Sequence, residues 1–253
     1  MNLDLKGRKA ILPAASKGLG RATAELFARE GADVAICARG SEELEKTRKA
    51  LAEHGGKVIA DVVDIADAEA YKAWVASSAD ALGGCDDFIA FPSAGGAQSS
   101  EEVWLNAFNL DVMGAWRGLT AAMSWLEKSQ AASIVVIASM LAIEPVFGPQ
   151  PMAAMKAAAT HQAGALAHQL GPKGIRVNIV SPGPIFIEGG VWDTIQRNRR
   201  EFYDATLSNI PLGRFGADKE VAWAIGFLAS PHSAFITGTN LVVDGGTLQR
   251  VQF

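Results

Sequence analysis

One lysine stands among small apolar residues in the stretch Met152-Ala153-Ala154-Met155-Lys156. The segment 151–170 has helical character, and it precedes an apolar run and the Ser-Pro-Gly-Pro loop at 181–184. A helix that displays a single amine just before such a loop is suited to hold that amine over a ligand. The methionine four residues earlier is unexpected there, because a thioether neither donates nor accepts a proton in acid–base catalysis.

A second group of residues is typical of a nucleotide-binding turn. Gly18 and Gly20 open a helical segment after the first apolar run, and such a turn presents backbone N–H groups and the positive helix end to a pyrophosphate. Dinucleotide folds usually place an acid after the second strand, but Arg39 stands there, and Lys17 lies in the glycine turn. Two cations suit a 2′-phosphate, which favours NADP(H) over NAD(H). The alternative is a pair of solvated surface cations.

Short β-rich runs that alternate with helical segments must position these residues. The strand-like runs are KAIL, VAICA, KVIADV, FIAF, SIVVIAS, IRVNIV and NLVVD, and the main helical segments are 18–30, 41–54, 67–82, 101–127, 151–170 and 218–229. This alternation predicts an α/β, single-domain Rossmann fold over 1–253, with a doubly wound seven-stranded parallel sheet and helices on both faces. The irregular stretch at about 184–212 is predicted to be a substrate lid.

Composition restricts the partners. The 253 residues are 49% hydrophobic and carry a net charge of -4, so no general electrostatic attraction to nucleic acid or to an anionic membrane is expected. No apolar run reaches the ~20 residues of a membrane span, and the first ten residues do not resemble a secretory signal. We expect a cytoplasmic protein that binds small molecules and copies of itself. His161 and His168 lack an acid or a cysteine at metal-ligand spacing, so no metal is expected.

From about residue 5 to residue 246 the chain resembles the short-chain dehydrogenase/reductase family. Segment 13–20 corresponds to the family's Thr-Gly-x-x-x-Gly-x-Gly turn, segment 92–95 to its Asn-Asn-Ala-Gly, and GIRVNIVSPGPI to its sixth strand and nicotinamide loop. The resemblance implies a cofactor site made of Ser16, Lys17, Gly18, Leu19, Gly20, Arg39, Asp64, Ile65, Ala94, Gly95, Lys156, Pro182, Gly183 and Ile185. It also implies catalytic roles for Ser139, Lys156 and Asn109.

Departures from the family pattern cluster at the site. In the family a tyrosine exchanges the proton of a substrate oxygen, a lysine lowers the tyrosine pKa and holds the nicotinamide ribose, a serine bonds the oxygen, and an asparagine anchors a water chain. Met152 occupies the tyrosine position, and loss of a positioned acid typically costs about 10²–10⁴ in rate. Pro13-Ala14 replaces Thr-Gly; the Cβ of Ala14 either requires a negative φ or pushes the adenosine outward. Weaker cofactor binding is therefore expected.

Three groups are candidates to replace the acid: Glu144 on the loop after Ser139, Tyr203 in the lid, and Lys156 itself. The enoyl-acyl-carrier reductases of the same superfamily also have methionine four residues before the lysine, with a tyrosine three residues earlier, where this chain has Pro149. In conjugate reduction the α-proton can come from solvent, so the lack of a protein acid is better tolerated.

The resemblance implies an NADP(H)-dependent oxidoreductase that moves a hydride to or from a hydrophobic carbonyl, alcohol or conjugated enone or enoyl substrate, with an atypical proton donor. The alternative is a catalytically retired or non-redox member of the fold, either a lyase, an isomerase or a ligand-binding protein. A homotetramer or homodimer is expected, with segments 101–127 and 151–170 at an interface. Arg197, Arg199 and Arg200 in the lid could meet a carboxylate or CoA phosphates, and a solvated helix face is the commoner alternative.

Overall fold

The computed structural model describes residues 2–95 and 100–250. Its centre is a parallel seven-stranded sheet in the order β3-β2-β1-β4-β5-β6-β9. The strands of this sheet are β1 Lys9–Pro13, β2 Asp33–Ala38, β3 Val58–Val62, β4 Asp87–Ala90, β5 Ser133–Ile137, β6 Arg176–Pro182 and β9 Asn240–Val243. The predicted seven-stranded parallel sheet is confirmed.

Helices cover both faces of the sheet, as the alternating pattern predicted. They are α1 Gly18–Arg29, α2 Ser41–Ala52, α3 Ala68–Leu82, α4 Glu101–Ala107, α5 Met113–Leu126, α6 Pro151–Leu170, α7 Val191–Asn198, α8 Arg200–Ser208 and α9 Asp218–Ala229. One hydrophobic core joins α3, α5 and α6 to the sheet, and a second core on the other face joins α1, α2 and α9 to it. Both cores are made of apolar side chains because strands covered on two faces are buried throughout.

The strand order reverses between β1 and β4, whose connections run to opposite sides of the sheet. In open α/β sheets, ligands bind in the crevice at the carboxyl ends of the strands beside such a reversal. The turn after β1 and the loop after β4 therefore define the expected binding edge.

Two features differ from the predicted elements. The predicted helix 101–127 is two helices, because a π-helical turn, Phe108–Val112, separates α4 from α5. The long segment after β6 contains a small two-stranded sheet, in which β7 Ile185–Phe186 pairs with β8 Gly216–Ala217. This small sheet closes the segment that carries α7 and α8, so the two helices extend over the binding edge from a fixed base.

A buried ion pair fixes the start of the sheet. The Arg8 guanidinium donates through Nε and Nη2 to the two carboxylate oxygens of Asp87, at 2.8 and 2.7 Å. Burial raises the pKa of Asp87 to about 6, while Arg8 opposes that rise. In the described part of the chain, no helix is both long enough and apolar enough to cross a membrane.

Candidate functional site

A cleft of about 460 Å³ lies where the strand order of the sheet reverses, and we call it the nucleotide cleft. Its walls come from the turn after β1, the ends of β2 and β3, and the loop after β4. Of the residues predicted to bind the cofactor, Ser16, Lys17, Arg39, Asp64 and Ile65 line this cleft. The structure thus brings together five residues that are spread over fifty positions of the sequence.

The N-terminus of α1 lies at this cleft and is suited to bind an anion. Lys17 is the N-cap residue and makes no side-chain capping bond, and the first turn contains no acidic residue. The first backbone N–H groups of the helix are therefore left for a ligand, and the helix dipole favours a negative group there. A Cβ at Gly20 would lie 2.7 Å from Ala15 Cα, so only glycine allows the helix to pack this closely on the turn.

Of the two alternatives considered for Ala14, the structure does not show the negative φ. Its φ is +60°, which is the left-handed region that an L-residue enters at a cost of roughly 1–2 kcal/mol. The turn keeps a glycine-like backbone in spite of the added Cβ, and Ala14 lines the nucleotide cleft. The alanine therefore leaves the shape of the turn unchanged and introduces local backbone strain.

Cations and acids share the end of the cleft near β2. Lys17, Arg39, Glu42 and Glu43 all line it. Both glutamates accept hydrogen bonds from Lys46 Nζ, at 2.8 and 2.7 Å. Lys46 offsets part of the negative charge of the two carboxylates, and Lys17 and Arg39 supply positive charge to a ligand at this end.

The remaining cofactor candidates surround the cleft or lie beyond it. Asp64 Oδ1 accepts the backbone N–H of Ala66 and so shapes the loop after β3. Gly18, Leu19 and Gly20 form the first residues of α1, and Ala94 follows the cleft-lining Ser93. Gly183 and Gly95 line a second cavity instead, Pro182 ends β6, and Ile185 lies in β7 away from both recesses.

Lys156 is buried, and its amine makes two hydrogen bonds to backbone carbonyls and one ion pair. Nζ donates to the carbonyls of Pro92 and Ile137, at 2.9 and 2.8 Å, and lies 3.2 Å from Asp111 Oδ1. Burial lowers the pKa of the Lys156 amine, while the Asp111 carboxylate opposes that shift. The lysine joins α6 to the ends of β4 and β5 and to the π-helical turn.

Asp111, rather than Asn109, is the lysine's partner on that turn. Its other carboxylate oxygen, Oδ2, accepts the backbone N–H of Ala94 at 2.9 Å. Asn109 points elsewhere and accepts a hydrogen bond from Arg117 Nη1 at 2.6 Å. Asp111 on the π-helical turn is buried, and the role predicted for Asn109 in a water chain to Lys156 stays a prediction. Sequence reasoning missed Asp111, whose signal is an acid within an otherwise apolar helical segment.

A second cavity, about 610 Å³ in volume, lies between the first turn of α6 and the helices α7 and α8. We call it the substrate cavity. Ser139 and Met152 line it, and its other walls are largely apolar or aromatic, including Leu141, Phe147, Val191, Trp192, Ile195 and Phe202. Among the described residues, the polar side chains in its wall are Ser139, Gln150 and Arg199. Ser139 Oγ accepts the N–H of Leu141 at 3.1 Å, which leaves its own O–H free to donate.

None of the three candidate acids, Glu144, Tyr203 and Lys156, lines the substrate cavity. Tyr203 is 8% exposed and stacks on Phe215 with ring centres 4.4 Å apart. Glu144 follows the short 3₁₀ turn Met140–Ala142, and its Oε1 is buried without a hydrogen-bond partner. In the ranges 2–95 and 100–250, no cluster of three or more His, Cys, Asp or Glu side chains could hold a metal ion.

Comparisons with known proteins agree with this geometry. Residues 14–247 match the family model described as enoyl-(acyl carrier protein) reductase. The chain is 39% identical to isoepoxydon dehydrogenase patN of Aspergillus clavatus, over 99% of this chain and 98% of the relative.

Solved structures give the same result. L-sorbose reductase from Gluconobacter frateurii, complexed with NADPH and L-sorbose, superimposes with a TM-score of 0.90 at 28% identity, covering 99% of this chain and 100% of that one. An NADPH-bound short chain oxidoreductase from Pseudomonas aeruginosa PAO1, described as containing an atypical catalytic center, superimposes with a TM-score of 0.86 at 30% identity, covering 96% and 98%. The chain belongs to the short-chain dehydrogenase/reductase family of nicotinamide-dependent oxidoreductases.

Proposed function

We propose that the protein uses NADP(H) to reduce a hydrophobic conjugated enone or enoyl substrate, with the proton supplied by solvent. The observation that carries the proposal is the lining of the substrate cavity. Its described wall contains hydroxyl, amide and guanidinium groups but no carboxyl, imidazole or phenol group. A reaction that requires a protein acid at the substrate oxygen is poorly served by such a wall, whereas conjugate reduction needs only hydrogen bonds there.

The residues of the nucleotide cleft fit the cofactor. The uncapped end of α1 suits a pyrophosphate, and Lys17 and Arg39 suit a 2′-phosphate. When bound, the reduced nicotinamide supplies a hydride. The NADPH complexes of two structural neighbours support the choice of cofactor, and the enoyl reductase description of the matching family model supports the substrate class.

The chain's own part in the reaction follows from three residues. The Ser139 O–H and the Gln150 amide can donate hydrogen bonds to the substrate oxygen and stabilise the negative charge that develops on it as the β-carbon accepts hydride. Water then protonates the α-carbon of the enolate. Met152 contributes an apolar wall to the cavity and takes no part in proton transfer.

The contacts of Lys156 favour a second candidate, a non-redox member that binds a ligand. The buried amine donates two hydrogen bonds to backbone carbonyls and lies 3.2 Å from Asp111 Oδ1, so a hydrogen bond to a nicotinamide ribose would compete with contacts that the lysine makes to the protein. On this hypothesis Lys156 is a structural clamp, and the substrate cavity binds its ligand without turnover.

Calorimetric titrations separate cofactor binding from the alternative. We expect NADPH to bind more tightly than NADH, and Arg39→Gln to weaken NADPH binding by about 10–100-fold, the value of one or two charge-assisted hydrogen bonds. Arg48→Gln is the matched control, because Arg48 is bound to Glu45 on the exposed face of α2. Absence of binding by both nucleotides at millimolar concentration would refute the proposal.

Paired substrates then test the reaction. NADPH oxidation should occur with 2-cyclohexenone and be slower by at least about 10²-fold with cyclohexanone, whose reduction needs proton transfer to oxygen. Ser139→Ala should lower kcat with the enone. Faster turnover of the saturated ketone would contradict conjugate reduction, and absence of turnover in spite of NADPH binding would favour the ligand-binding alternative.

Self-association is also proposed, as a homotetramer or homodimer. Leu105, Phe108 and Trp116 on the predicted interface segment are 62%, 47% and 39% exposed in the single chain. Apolar side chains of this size on one helix pair are typical of a covered surface. Light scattering on Trp116→Glu, compared with the unmodified chain, tests whether this face joins the subunits.

A further inference from the structure

The three lid arginines have different environments. Arg197 Nη2 lies 2.7 Å from Asp193 Oδ2, and Arg200 Nε lies 2.8 Å from Asp204 Oδ2. Each of these pairs joins residues four apart on one helix. Arg199, which separates α7 from α8, has no ion-pair partner within the part of the chain that the structure describes.

Arg199 also lines the substrate cavity, whereas its two neighbours do not. Its backbone leaves the helical region, with φ −143° and ψ 57°. This break turns Arg199 away from the faces that carry Arg197 and Arg200. The three residues are therefore one cluster in the sequence but two different environments in the structure.

An aromatic layer holds the guanidinium in position. Its central carbon lies 4.7 Å from the ring centre of Phe202, a distance typical of a cation–π contact. Phe202 in turn stacks on Trp192, with ring planes 7° apart. Stacking restrains the side chain without using the N–H groups at the edge of its planar fork, and this fork matches the geometry of a carboxylate.

We propose that Arg199 binds a carboxylate of the substrate, so that the protein selects hydrophobic molecules that also carry an acid group. This inference names the substrate class of the proposed function and rests on it, but it can be tested without turnover. The apolar and aromatic walls hold the body of the ligand, and Arg199 is the one charged side chain among the described wall residues. A carboxylate is preferred to a neutral polar group because two parallel N–H bonds and the charge act together.

Calorimetry with trans-cinnamate and trans-cinnamamide tests the assignment, since the two probes differ in charge at one end. We expect cinnamate to bind about 10-fold more tightly than the amide to the unmodified protein, and less so at high salt. Arg199→Gln should abolish the preference and leave the amide's affinity unchanged. Arg199→Lys should retain part of it, because the charge remains and the planar fork is lost.

Arg200→Gln is the matched control. It removes an adjacent, equally exposed arginine that is engaged with Asp204, and we expect it to retain the full preference for cinnamate. Equal binding of both probes, absence of binding at millimolar concentration, or a preference that survives Arg199→Gln would overturn the inference. NADPH titration of Arg199→Gln distinguishes this failure from failure of the proposed function, because nucleotide affinity should stay at the level of the unmodified protein.

Discussion

Replacement of Asp111 by asparagine tests the buried pair that organises the site. Asp111 and Lys156 are 1% and 4% exposed, and their charged atoms are 3.2 Å apart. Asparagine keeps an oxygen for Lys156 but removes the charge, so the lysine amine is left in the interior without its anion. Breaking a buried ion pair by removal of one partner costs about 3–5 kcal/mol, and because asparagine keeps a polar group beside the amine we expect Asp111→Asn to lower the free energy of unfolding by a smaller amount, about 2 kcal/mol at pH 7. Asp111→Leu removes both acceptors and should cost about 3–5 kcal/mol.

The sign of the pH dependence follows from the lysine. Burial lowers the pKa of Lys156 in the folded protein below its unfolded value, and Asp111 limits that fall. Without Asp111 the pKa of Lys156 in the folded state falls further. Asp111→Asn therefore has a deficit in its free energy of unfolding, and this deficit is fully present below the lowered pKa of the variant. It is lost as pH rises to the folded pKa of the unmodified protein, with a slope of at most about 1.4 kcal/mol per pH unit.

Urea unfolding at pH 7 and at pH 9.5 measures both effects. Asp193→Asn is the control, because Asp193 is also buried but its partner, Arg197, has a side chain that is 69% exposed. Solvent screens that pair, and we expect its loss to cost less than about 1 kcal/mol. The assignment of a charged Asp111–Lys156 pair would be refuted if Asp111→Asn lost no more free energy of unfolding than Asp193→Asn. It would also be refuted if the loss for Asp111→Asn did not change between the two pH values.

Three further perturbations test other parts of the structure. Met152→Tyr restores the family spacing to Lys156 and should raise NADPH-dependent ketone reduction, by up to about 10²–10⁴-fold if the scaffold is otherwise intact; Met152→Leu should not, and an unchanged rate for both would mean that the cavity itself has diverged. Ala14→Gly relieves the strain of a φ of +60° and should change the free energy of unfolding by no more than about 1 kcal/mol, as measured by urea unfolding. Ala14→Val should lower the free energy of unfolding by more than that, and it should also reduce the affinity for NADPH measured by calorimetry. Arg8→Met leaves Asp87 buried without its cation and should lower the free energy of unfolding by about 3–5 kcal/mol at pH 8. Because the pKa of Asp87 is about 6, the loss measured by urea unfolding should be smaller at pH 5, where the carboxyl group is largely protonated. A loss that does not depend on pH would contradict this account.

Much of the fold could be predicted from local pattern alone. Buried parallel strands appear as continuous apolar runs, and the helices between them have their own period, so all seven strands and the bounds of α6 and α9 were correct. The glycine turn with Lys17 and the strand end with Arg39 were predictable for the same reason, since both lie at fixed points of a strand–helix unit. The structure brings these two cations to one end of the nucleotide cleft.

The parts that could not be predicted depend on register and on contacts between distant segments. A π-helical turn at Phe108–Val112 shifts the helical period, and sequence periodicity contains no sign of it, so the position of Asp111 beside Lys156 was missed. A glycine inside a helix can indicate a close contact, and Gly114 makes one. A Cβ built at Gly114 would lie 3.0 Å from Pro92 Cβ, so this residue fixes the distance from the helix to the loop after β4. The separation of Arg199 from Arg197 and Arg200 likewise depends on one backbone break that sequence does not show.

A tyrosine introduced at position 152 would depend on Lys156, which is already paired with Asp111, so the effects of Met152→Tyr and Asp111→Asn should not be additive. A lysine lowers the pKa of a neighbouring tyrosine through its positive charge, and a carboxylate 3.2 Å from that amine offsets the charge. A tyrosine at position 152 should thus be less acidic beside Asp111 than beside an asparagine. We expect ketone reduction to be faster in the double variant Met152→Tyr/Asp111→Asn than in Met152→Tyr, with a lower phenol pKa in the pH titration of tyrosine absorbance after subtraction of the parent spectrum. If the double variant is no faster and its phenol titrates at the same pH, the two residues are independent, and the aspartate serves only to hold Lys156 and the loop at Ala94.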